Sequence, residues 1–490
     1  MKLQDLLARL PGAELHGDPA LEVADVTHDS RRAGPGSLFV AIGGLVTDGN
    51  QFVEAARRKG AVAVCSERSP SGEGTWVQVA DAREALATLA AATLGDPARS
   101  LDLVGVTGTN GKTTTTYLVD STLRAAGETV GLLGTVEYRV GDRIAEAVRT
   151  TPESSDLQAF FREMVDAGCR RAVLEVSSHS LALKRVHGLE FRVAVFTNLT
   201  RDHLDYHGDM DSYFAAKRLL FERHLRADGH AILNLDDDRA GELAAATRGR
   251  VWTYSLENPK ADLVAEDVRL SLDGTRFRAR TPRGALDVET ALVGAFNVQN
   301  ALAAIGAALA LGLPEDAVQR GVGGLRGVPG RMERVVAGQD FTVIVDYAHT
   351  DDALRNLLET VRGLRPRRVI TVFGCGGDRD RTKRPLMGAV AARLSDVVIL
   401  TSDNPRSEPP EAILEEIRRG IPAAAEALVL PDRREAIARA LEMGREGVVV
   451  VIAGKGHEPY QVLRDRTVPF DDRQVARDVL ARLAGAGGKR

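Results

Sequence analysis

The sequence predicts an α/β protein of three domains, and three observations support this. Its 490 residues exceed what one hydrophobic core usually holds. Short β-branched runs alternate with helix-like stretches, a pattern typical of parallel sheets flanked by helices. Proline and glycine interrupt this alternation at Gly95-Asp96-Pro97 and at Val328-Pro329-Gly330. We therefore predict domains at residues 1–96, 97–328 and 329–490.

Each predicted domain has its own set of strands. The first has strands at 37–42 and 61–64, followed by a helix over 83–94. The second has strands at 103–106, 172–176, 193–197 and 231–234. The third has strands at 342–346, 369–373, 397–401 and 447–453. Because parallel strands end at one edge of a sheet, we expect the polar side chains that follow them to converge there.

Composition excludes several classes of function. The formal net charge of −4 gives no basis for binding nucleic acid or an anionic membrane. The three cysteines are far apart, so they form neither a disulfide framework nor a thiolate metal motif. No apolar run reaches the roughly 20 residues of a membrane-spanning helix, and the N-terminal run lacks the apolar part of a signal peptide. We expect a cytoplasmic protein without membrane insertion.

A glycine- and threonine-rich loop is the strongest functional signal. The run Gly105-Val106-Thr107-Gly108-Thr109-Asn110-Gly111-Lys112-Thr113-Thr114 lies between a predicted strand and a predicted helix, as in phosphate-binding loops. The match is incomplete, because Val106 stands where the common pattern has its first glycine. Lys112 would lie near the β and γ phosphates, and the Thr113 hydroxyl would reach Mg²⁺. The loop predicts binding of ATP or GTP by Gly108, Thr109, Asn110, Gly111, Lys112, Thr113 and Thr114.

Acidic and imidazole side chains follow this loop. Glu175 ends a predicted strand, where a carboxylate would hold Mg²⁺ directly or through water. The run Asp202-His203-Leu204-Asp205-Tyr206-His207 follows the next strand. His203 and His207 are four residues apart, so a zinc pair and a purely structural His–Asp cluster are alternatives to a metal–nucleotide site.

Several polar residues further along have two interpretations each. Lys217 lies in an amphipathic helical pattern, where a charged lysine is by default a surface residue. Asn297 and Asn300 share a helix face, either as cap and surface residues or as contacts to an adenine edge. Arg331 and Asp346 would contact a phosphate and a ribose, and Asp346 is the stronger candidate because it ends an apolar strand.

Three polar loops follow three strands of the last predicted domain. They contain Gly374-Cys375-Gly376-Gly377-Asp378-Arg379-Asp380, Asp403-Asn404-Pro405-Arg406 and Ala453-Gly454-Lys455-Gly456-His457-Glu458. Convergence would bring two guanidinium groups and a carboxylate together, a set that suits a zwitterionic amino acid. The alternative is three charged surface turns.

Together these segments resemble the Mur ligases, ATP-dependent enzymes that add amino acids during peptidoglycan synthesis. The resemblance runs from Asp29-Ser30-Arg31 to the Gly454–Glu458 run. The phosphate loop marks the wider superfamily, which includes folylpolyglutamate synthetases. More specific to the branch that adds the third peptide residue are Thr150-Thr151-Pro152, Glu175-Val176-Ser177-Ser178-His179, the Asp202–His207 run and Asp346-Tyr347-Ala348-His349-Thr350.

The resemblance implies an N-terminal UDP-binding α/β domain, a central P-loop ATPase domain with a parallel sheet, and a C-terminal Rossmann-like domain. It implies that Lys217 is carbamylated with CO₂ and that Glu175 and His203 bind Mg²⁺, together with Thr113 and Lys217. The Arg406 form resembles the diaminopimelate-adding subgroup, while lysine and ornithine remain open. The implied contacts are Ser30, Leu45, Val46 and Thr47 for the UDP end, Thr150, Thr151, Ser177 and Arg185 for the muramoyl-dipeptide, and Arg379, Asp403, Asn404, Pro405, Arg406, Gly454 and Glu458 for the amino acid.

Two positions depart from the family pattern. Leu183 stands where many relatives have glutamine, which removes one substrate hydrogen bond. Asp351 stands where relatives have proline, which would loosen the turn after Thr350.

The implied reaction forms an acyl phosphate, which an amine then attacks in a monomeric enzyme whose domains close on the substrates. His349 is the candidate base. A folylpolyglutamate-type ligase, a nucleotide-gated binding protein and a switch NTPase are the alternatives.

Overall fold

The computed structural model describes residues 1–44 and 47–487. The N-terminal segment forms a five-stranded sheet of order β1-β5-β4-β3-β2, parallel except for β1. Helices α1 and α3 pack on one face of it, where Leu38, Val40 and Cys65 are buried with Leu86 and Leu89. The elements are α1 (Leu3–Leu7), β1 (Glu14–His16), β2 (Asp25–Thr27), β3 (Ser37–Ala41), α2 (Val53–Arg58), β4 (Ala63–Ser66), β5 (Thr75–Gln78) and α3 (Ala82–Thr93).

The central segment forms an eleven-stranded sheet of order β16-β15-β14-β13-β12-β11-β6-β10-β7-β8-β9. Helices α4, α10 and α11 lie over one face and share a core with it, to which alanine-rich α10 contributes most of its length. The strands are β6 (Asp102–Thr107), β7 (Val130–Leu133), β8 (Glu137–Val140), β9 (Arg143–Glu146), β10 (Arg171–Glu175), β11 (Phe191–Phe196), β12 (Leu225–Asn234), β13 (Arg250–Ser255), β14 (Leu263–Ser271), β15 (Gly274–Thr281) and β16 (Gly284–Thr290). The helices are α4 (Lys112–Ala125), α5 (Ser154–Asp166), α6 (Ser178–Ala182), α7 (Leu204–His207), α8 (Met210–Leu219), α9 (Ala240–Ala246), α10 (Ala295–Ala310) and α11 (Glu315–Gly324).

The predicted parallel sheet is confirmed for the strands from β14 to β7 and is extended by antiparallel strands at both edges. The prediction lacked these additions. Their signal is the alternation of buried and exposed side chains along β15 and the Asp273-Gly274 turn before it, where Gly274 has φ +144°. The phosphate loop follows one of the parallel strands, β6.

The C-terminal segment forms a six-stranded sheet of order β17-β18-β22-β19-β20-β21, parallel except for β17, and a small hairpin of β23 and β24. Two apolar cores cover its faces. The elements are β17 (Glu333–Arg334), β18 (Thr342–Asp346), α12 (Asp351–Gly363), β19 (Arg368–Phe373), α13 (Lys383–Leu394), β20 (Val397–Leu400), α14 (Pro410–Arg418), β21 (Ala427–Val429), α15 (Arg433–Glu442), β22 (Val448–Ala453), β23 (Tyr460–Val462), β24 (Thr467–Pro469) and α16 (Asp472–Gly487).

Each sheet lies inside one of the three predicted segments, and the boundaries between them stay a prediction. Every strand predicted for the third segment is present within one residue of its expected ends. Across residues 1–44 and 47–487, none of the helices is both long and apolar enough to cross a membrane.

Candidate active site

The phosphate loop joins the end of β6 to the N-terminus of α4. Gly108 and Gly111 have φ of +149° and +87°. A Cβ at position 108 would collide with Thr197 Oγ1, and one at position 111 would collide with Asn300 Oδ1. Only glycine fits the backbone at these two positions. The first-turn N–H groups of α4 and its positive dipole end then face the space where an anion would bind.

A neighbouring strand end holds the loop rigidly. Asn198 accepts hydrogen bonds from the backbone N–H groups of Thr109, at 2.8 Å to its carbonyl, and of Asn110, at 2.9 Å to Oδ1. The Thr197 hydroxyl donates to the carbonyl oxygen of Asn110 at 2.6 Å. The loop is therefore preorganised by the residues that follow β11.

Two lysines meet inside the loop. Lys112 Nζ donates to the carbonyl oxygens of Gly108, at 3.0 Å, and Thr109, at 2.8 Å. Lys217 Nζ donates to the same Gly108 oxygen at 2.8 Å. Burial lowers the pKa of Lys112, and burial together with the charge of Lys112 lowers the pKa of Lys217 well below its usual range. The default surface interpretation of Lys217 is wrong, since this residue is 1% exposed.

Glu175 is buried at the end of β10 and is held by Thr135. Its Oε1 accepts from the Thr135 N–H at 2.9 Å, and its Oε2 lies 3.0 Å from the Thr135 hydroxyl. The Thr150 hydroxyl lies 3.1 Å from that of Thr135. Each carboxylate oxygen keeps a lone pair free for a cation. The sequence interpretation missed Thr135, because nothing in its local pattern marks it.

Three histidines, His179, His203 and His207, pack against one another and against Tyr206 and Tyr213. The His203 ring lies 4.7 Å from that of His179, and its Nε2 lies 3.3 Å from Asp202 Oδ2. Burial lowers the pKa of His203 to about 3 and that of His207 to about 4, so both are neutral at pH 7 and keep a lone pair. His207 Nε2 lies 3.0 Å from the Ser178 hydroxyl. Among the residues that the structure describes, no three His, Cys, Asp or Glu side chains are grouped for a metal, which gives the zinc alternative no support.

The asparagines of α10 face the loop and each other. Asn300 Nδ2 donates to Asn297 Oδ1 at 3.1 Å, and Asn297 Nδ2 donates to the carbonyl oxygen of Val293 at 2.9 Å. Asn300 Oδ1 lies against Gly111. Both amides are buried, so Asn300 supports the phosphate loop. Contact of either residue with adenine stays a prediction.

Arg331 reaches the loop from the C-terminal segment, and Asp346 binds the backbone near it. Arg331 Nη2 donates to Thr113 Oγ1 at 3.1 Å, and its guanidinium lies 4.4 Å from the centre of the Tyr347 ring. Asp346 accepts from the N–H groups of Met332 and Ala348, both at 2.7 Å. Burial raises the pKa of Asp346, and the charge of Arg331 opposes this.

Thr151, Ser177 and Arg185 form one network beside Glu175. The Thr151 hydroxyl donates to the Glu175 carbonyl oxygen at 2.7 Å and accepts from the Ser177 N–H at 3.2 Å. Arg185 Nη1 donates to the Thr151 carbonyl oxygen at 3.1 Å, and burial lowers the pKa of Arg185. Leu183 is the C-cap residue of α6, and the loss of a substrate hydrogen bond at this position stays a prediction.

The residues predicted for the UDP end lie in the N-terminal segment. Ser30 is half-buried and Thr47 is exposed, while Leu45 and Val46 lie outside the described residues. A cavity of about 410 Å³ opens between this segment and the central one. Its lining includes His28, Asp29, Arg149 and Glu153.

The three C-terminal loops converge, as their strand positions predict. Asn404 Nδ2 donates to Glu458 Oε2 at 2.8 Å. Lys455 Nζ, fully buried, donates to Asn404 Oδ1 at 3.1 Å and lies 3.2 Å from Glu458 Oε2. A Cβ at Gly454 would come within 2.5 Å of Asp403 Oδ2, so only glycine allows this approach. The sequence interpretation missed Lys455, although it lies inside a quoted motif.

Charge in this pocket is incompletely neutralised. Arg406 Nη1 donates to the Gly377 carbonyl oxygen at 2.8 Å, and no carboxylate pairs with Arg406 or with Arg379 within the described ranges. Burial and the charge of Arg379 lower the pKa of Arg406, while burial raises the pKa of Glu458. Two neighbouring guanidiniums without a carboxylate between them have the charge and donor groups that an external carboxylate would need, and their role in binding stays a prediction.

Further contacts join the C-terminal segment to the phosphate loop and to the Asp202–His207 run. Asn110 Nδ2 donates to Asp352 Oδ2 at 3.0 Å. His349 Nδ1 lies 2.9 Å from the Tyr347 carbonyl oxygen and its Nε2 lies 3.9 Å from Asp202 Oδ2, while burial and the charge of Lys383 lower its pKa to about 4. At Asp351, α12 begins with an N-cap hydrogen bond from the Ala353 N–H to Thr350 Oγ1 at 3.1 Å, and a turn looser than one with proline stays a prediction.

Family profiles match all three segments. They describe the Mur ligase family catalytic domain at residues 22–93, the Mur ligase middle domain at 106–308 and the Mur ligase glutamate ligase domain at 330–456. A relative from Solibacter usitatus (strain Ellin6076), UDP-N-acetylmuramoyl-L-alanyl-D-glutamate--2,6-diaminopimelate ligase, is 52% identical over 94% of both chains. The chain belongs to the Mur ligase family.

Other members of the Mur ligase family agree over nearly full length. A ligase of the same name from Geobacillus thermodenitrificans (strain NG80-2) is 49% identical over 97% of this chain and 99% of its own. A solved structure of a UDP-N-acetylmuramoyl-L-alanyl-D-glutamate--2,6-diaminopimelate ligase is 34% identical, with a TM-score of 0.71 and coverage of 99% of each chain. The predicted three-domain α/β architecture and membership of an ATP-dependent ligase family are thereby confirmed.

Proposed function

We propose that this chain is an ATP-dependent ligase that joins meso-diaminopimelate to the D-glutamate of UDP-N-acetylmuramoyl-L-alanyl-D-glutamate. Relatives at about half identity carry the name of that activity. The observation that carries the choice of amino acid is the pair Arg379 and Arg406, which lacks a carboxylate partner among the described residues and lies beside Asp403 and Glu458. Diaminopimelate has a second ammonium–carboxylate end that matches this set, whereas lysine lacks the distal carboxylate.

The first step activates a carboxylate that is otherwise a poor electrophile. Transfer of the γ-phosphoryl group of ATP to the D-glutamyl carboxylate gives an acyl phosphate and ADP. Lys112 and the loop N–H groups of 108–114 stabilise the charge of the transferring group. Arg331, which contacts Thr113, brings a second cation to the same phosphates.

The residue types would suit Mg²⁺ in part, and a carbamate on Lys217 would add anionic oxygen ligands to them. The carboxylate of Glu175, the neutral imidazole of His203 and the Thr113 hydroxyl would hold the ion, which would supply charge neutralisation at the phosphates. Lys217 is buried without a carboxylate partner in the described chain, and its depressed pKa favours the neutral amine that reacts with CO₂. A carbamate keeps one N–H for the Gly108 carbonyl oxygen and adds anionic oxygens.

The second step needs an unprotonated amine. It attacks the acyl phosphate carbon, and the tetrahedral intermediate collapses to an amide and phosphate. We assign His349 to accept the proton that the amine nitrogen loses after it attacks, since a pKa of about 4 is too low for this imidazole to deprotonate a free ammonium. Its Nδ1 donates to the Tyr347 carbonyl oxygen, so the lone pair is on Nε2, the atom that faces Asp202.

We assign the remaining predicted residues to the binding of the three substrates, and we propose that the enzyme acts as a monomer. The nucleotide contacts are Asn297, Asn300, Arg331 and Asp346. The UDP and muramoyl-dipeptide contacts are Ser30, Leu45, Val46, Thr47, Thr150, Thr151, Ser177 and Arg185. The amino-acid contacts are Arg379, Asp403, Asn404, Pro405, Arg406, Gly454 and Glu458.

The test measures phosphate release from ATP with Mg²⁺ and the UDP-muramoyl-dipeptide, with meso-diaminopimelate, L-lysine or L-ornithine added separately. Strong stimulation by diaminopimelate alone is the expected result. Stimulation by lysine or ornithine instead would retain the ligase and refute the role of Arg406. Stimulation by none, with turnover on a folate and glutamate, would indicate the folylpolyglutamate-type reaction, and ATP binding without any turnover would indicate a binding protein.

A further inference from the structure

A buried ion pair lies beneath the amino-acid pocket. Arg433, at the start of α15, pairs with Asp472, at the start of α16. The two side chains meet in a bidentate arrangement, with Nε to Oδ1 and Nη2 to Oδ2 both at 2.7 Å. Both side chains are 0% exposed. Asp471, not Asp472, caps α16, since its Oδ1 accepts from the N–H of Arg473 at 2.8 Å. Both carboxylate oxygens of Asp472 therefore accept hydrogen bonds from Arg433 and not from the helix N-terminus.

The guanidinium also holds two loops of the pocket. Arg433 Nη2 donates to the carbonyl oxygen of Ala453 at 2.9 Å, and Nη1 donates to that of Ser402 at 3.4 Å. Ala453 directly precedes Gly454, and Ser402 directly precedes Asp403. These are the last carbonyl groups before the two loops whose close approach at Gly454 and Asp403 only glycine permits. One side chain therefore bridges the backbone at two loop starts whose strands, β20 and β22, are separated by β19 in the sheet.

A buried ion pair is weak as a source of stability, because desolvation of both charges offsets their attraction. The apolar side chains around this pair, among them Ile437 and Val475, already join α15 and α16 to the sheet. A guanidinium contributes what an apolar side chain cannot, namely directed N–H groups at fixed angles. The charge of Asp472 keeps it oriented toward the two carbonyl oxygens. The contacts favour a role in geometry over a role in packing.

We propose that Arg433 and Asp472 are positioning residues for the amino-acid substrate: the pair fixes the Asp403 and Gly454 loops at the spacing that one diamino acid requires. This inference rests on the proposed function. The pair touches neither nucleotide-loop residues nor Glu175 among its hydrogen-bond partners, so its effect is confined to the amino acid.

The test compares steady-state kinetics of the whole enzyme with an Arg433→Met/Asp472→Leu variant and with Asp472→Asn. Replacing both charges by apolar groups of similar size preserves folding in other buried pairs. We expect KM for diaminopimelate to rise roughly 10- to 100-fold, because displacement of binding groups by about 1 Å has effects of this size. KM for ATP and kcat at saturating amino acid should stay within about twofold, since the nucleotide loop is untouched.

Val475→Ala is the matched control, since Val475 lies one turn after Asp472, is buried in the core beneath α16 and has no polar side-chain group to bond to either loop. It should lower the thermal midpoint without changing KM for the amino acid. An unchanged amino-acid KM in a folded Arg433 or Asp472 variant would overturn the inference, as would equal rises in all three substrate KM values. Wild-type enzyme without amino-acid-dependent turnover would instead refute the proposed function.

Discussion

Arg406→Met should change the choice of amino acid and not merely the rate. In the structure, Arg406 Nη1 is committed to the Gly377 carbonyl oxygen, which leaves the other N–H groups for the distal carboxylate of diaminopimelate. Truncating one partner of a hydrogen-bonded charge pair costs about 2–5 kcal/mol. Arg406 is half-buried, so the lower part of that range applies, about 2–3 kcal/mol or roughly 30- to 150-fold in kcat/KM. L-Lysine has no distal carboxylate, so its kcat/KM should change far less.

The assay is phosphate release at varied concentrations of each amino acid, reported as the ratio of the two kcat/KM values. Arg381→Met is the control, since Arg381 is in the same loop region but is 65% exposed and pairs with Glu416. It should leave both values unchanged. Equal losses with diaminopimelate and lysine in Arg406→Met would refute the assignment of this guanidinium to a distal carboxylate.

Three other perturbations probe the phosphate loop and the cleft. Lys217→Met should abolish turnover, and removal of CO₂ and bicarbonate should slow the wild type reversibly; insensitivity of the wild type would exclude a carbamate. Gly111→Ala should abolish ATP binding measured by calorimetry, because a Cβ at φ +87° is strained and collides with Asn300, whereas retained affinity would show that the loop relaxes. Burial lowers the pKa of His457 to about 3, below its unfolded value near 6.5. The contribution of His457 to the free energy of unfolding should therefore be fully present above pH 6.5 and should be lost as the pH falls from about 6.5 to 3. Urea titrations should show a smaller loss of stability over this range for His457→Gln than for the wild type, and identical pH slopes would contradict this.

The order of strands and polar loops could be predicted because both depend on local pattern. Val369 to Phe373 is a run of mostly β-branched residues followed by glycines, and such a run is a buried strand in almost any α/β context. Convergence of the loops that contain Arg406 and Gly454 followed from the rule that parallel strands end at one edge. The antiparallel additions were missed, although the alternation along β15 and the turn before it are local signals of a hairpin.

The sequence by itself determined the phosphate loop, the three α/β segments and the family, since these reside in contiguous motifs and in hydrophobic periodicity. The tertiary structure decided which polar side chains are buried, which of them have shifted pKa values and which distant residues they contact. Burial of Lys217 against Gly108 changes a surface ammonium into a group whose pKa lies well below its usual range. Asn300 supports the loop, and Arg433 joins two strand ends to two helices, only because residues far apart in the chain meet. Such contacts depend on distances in space, which a motif along the chain does not encode.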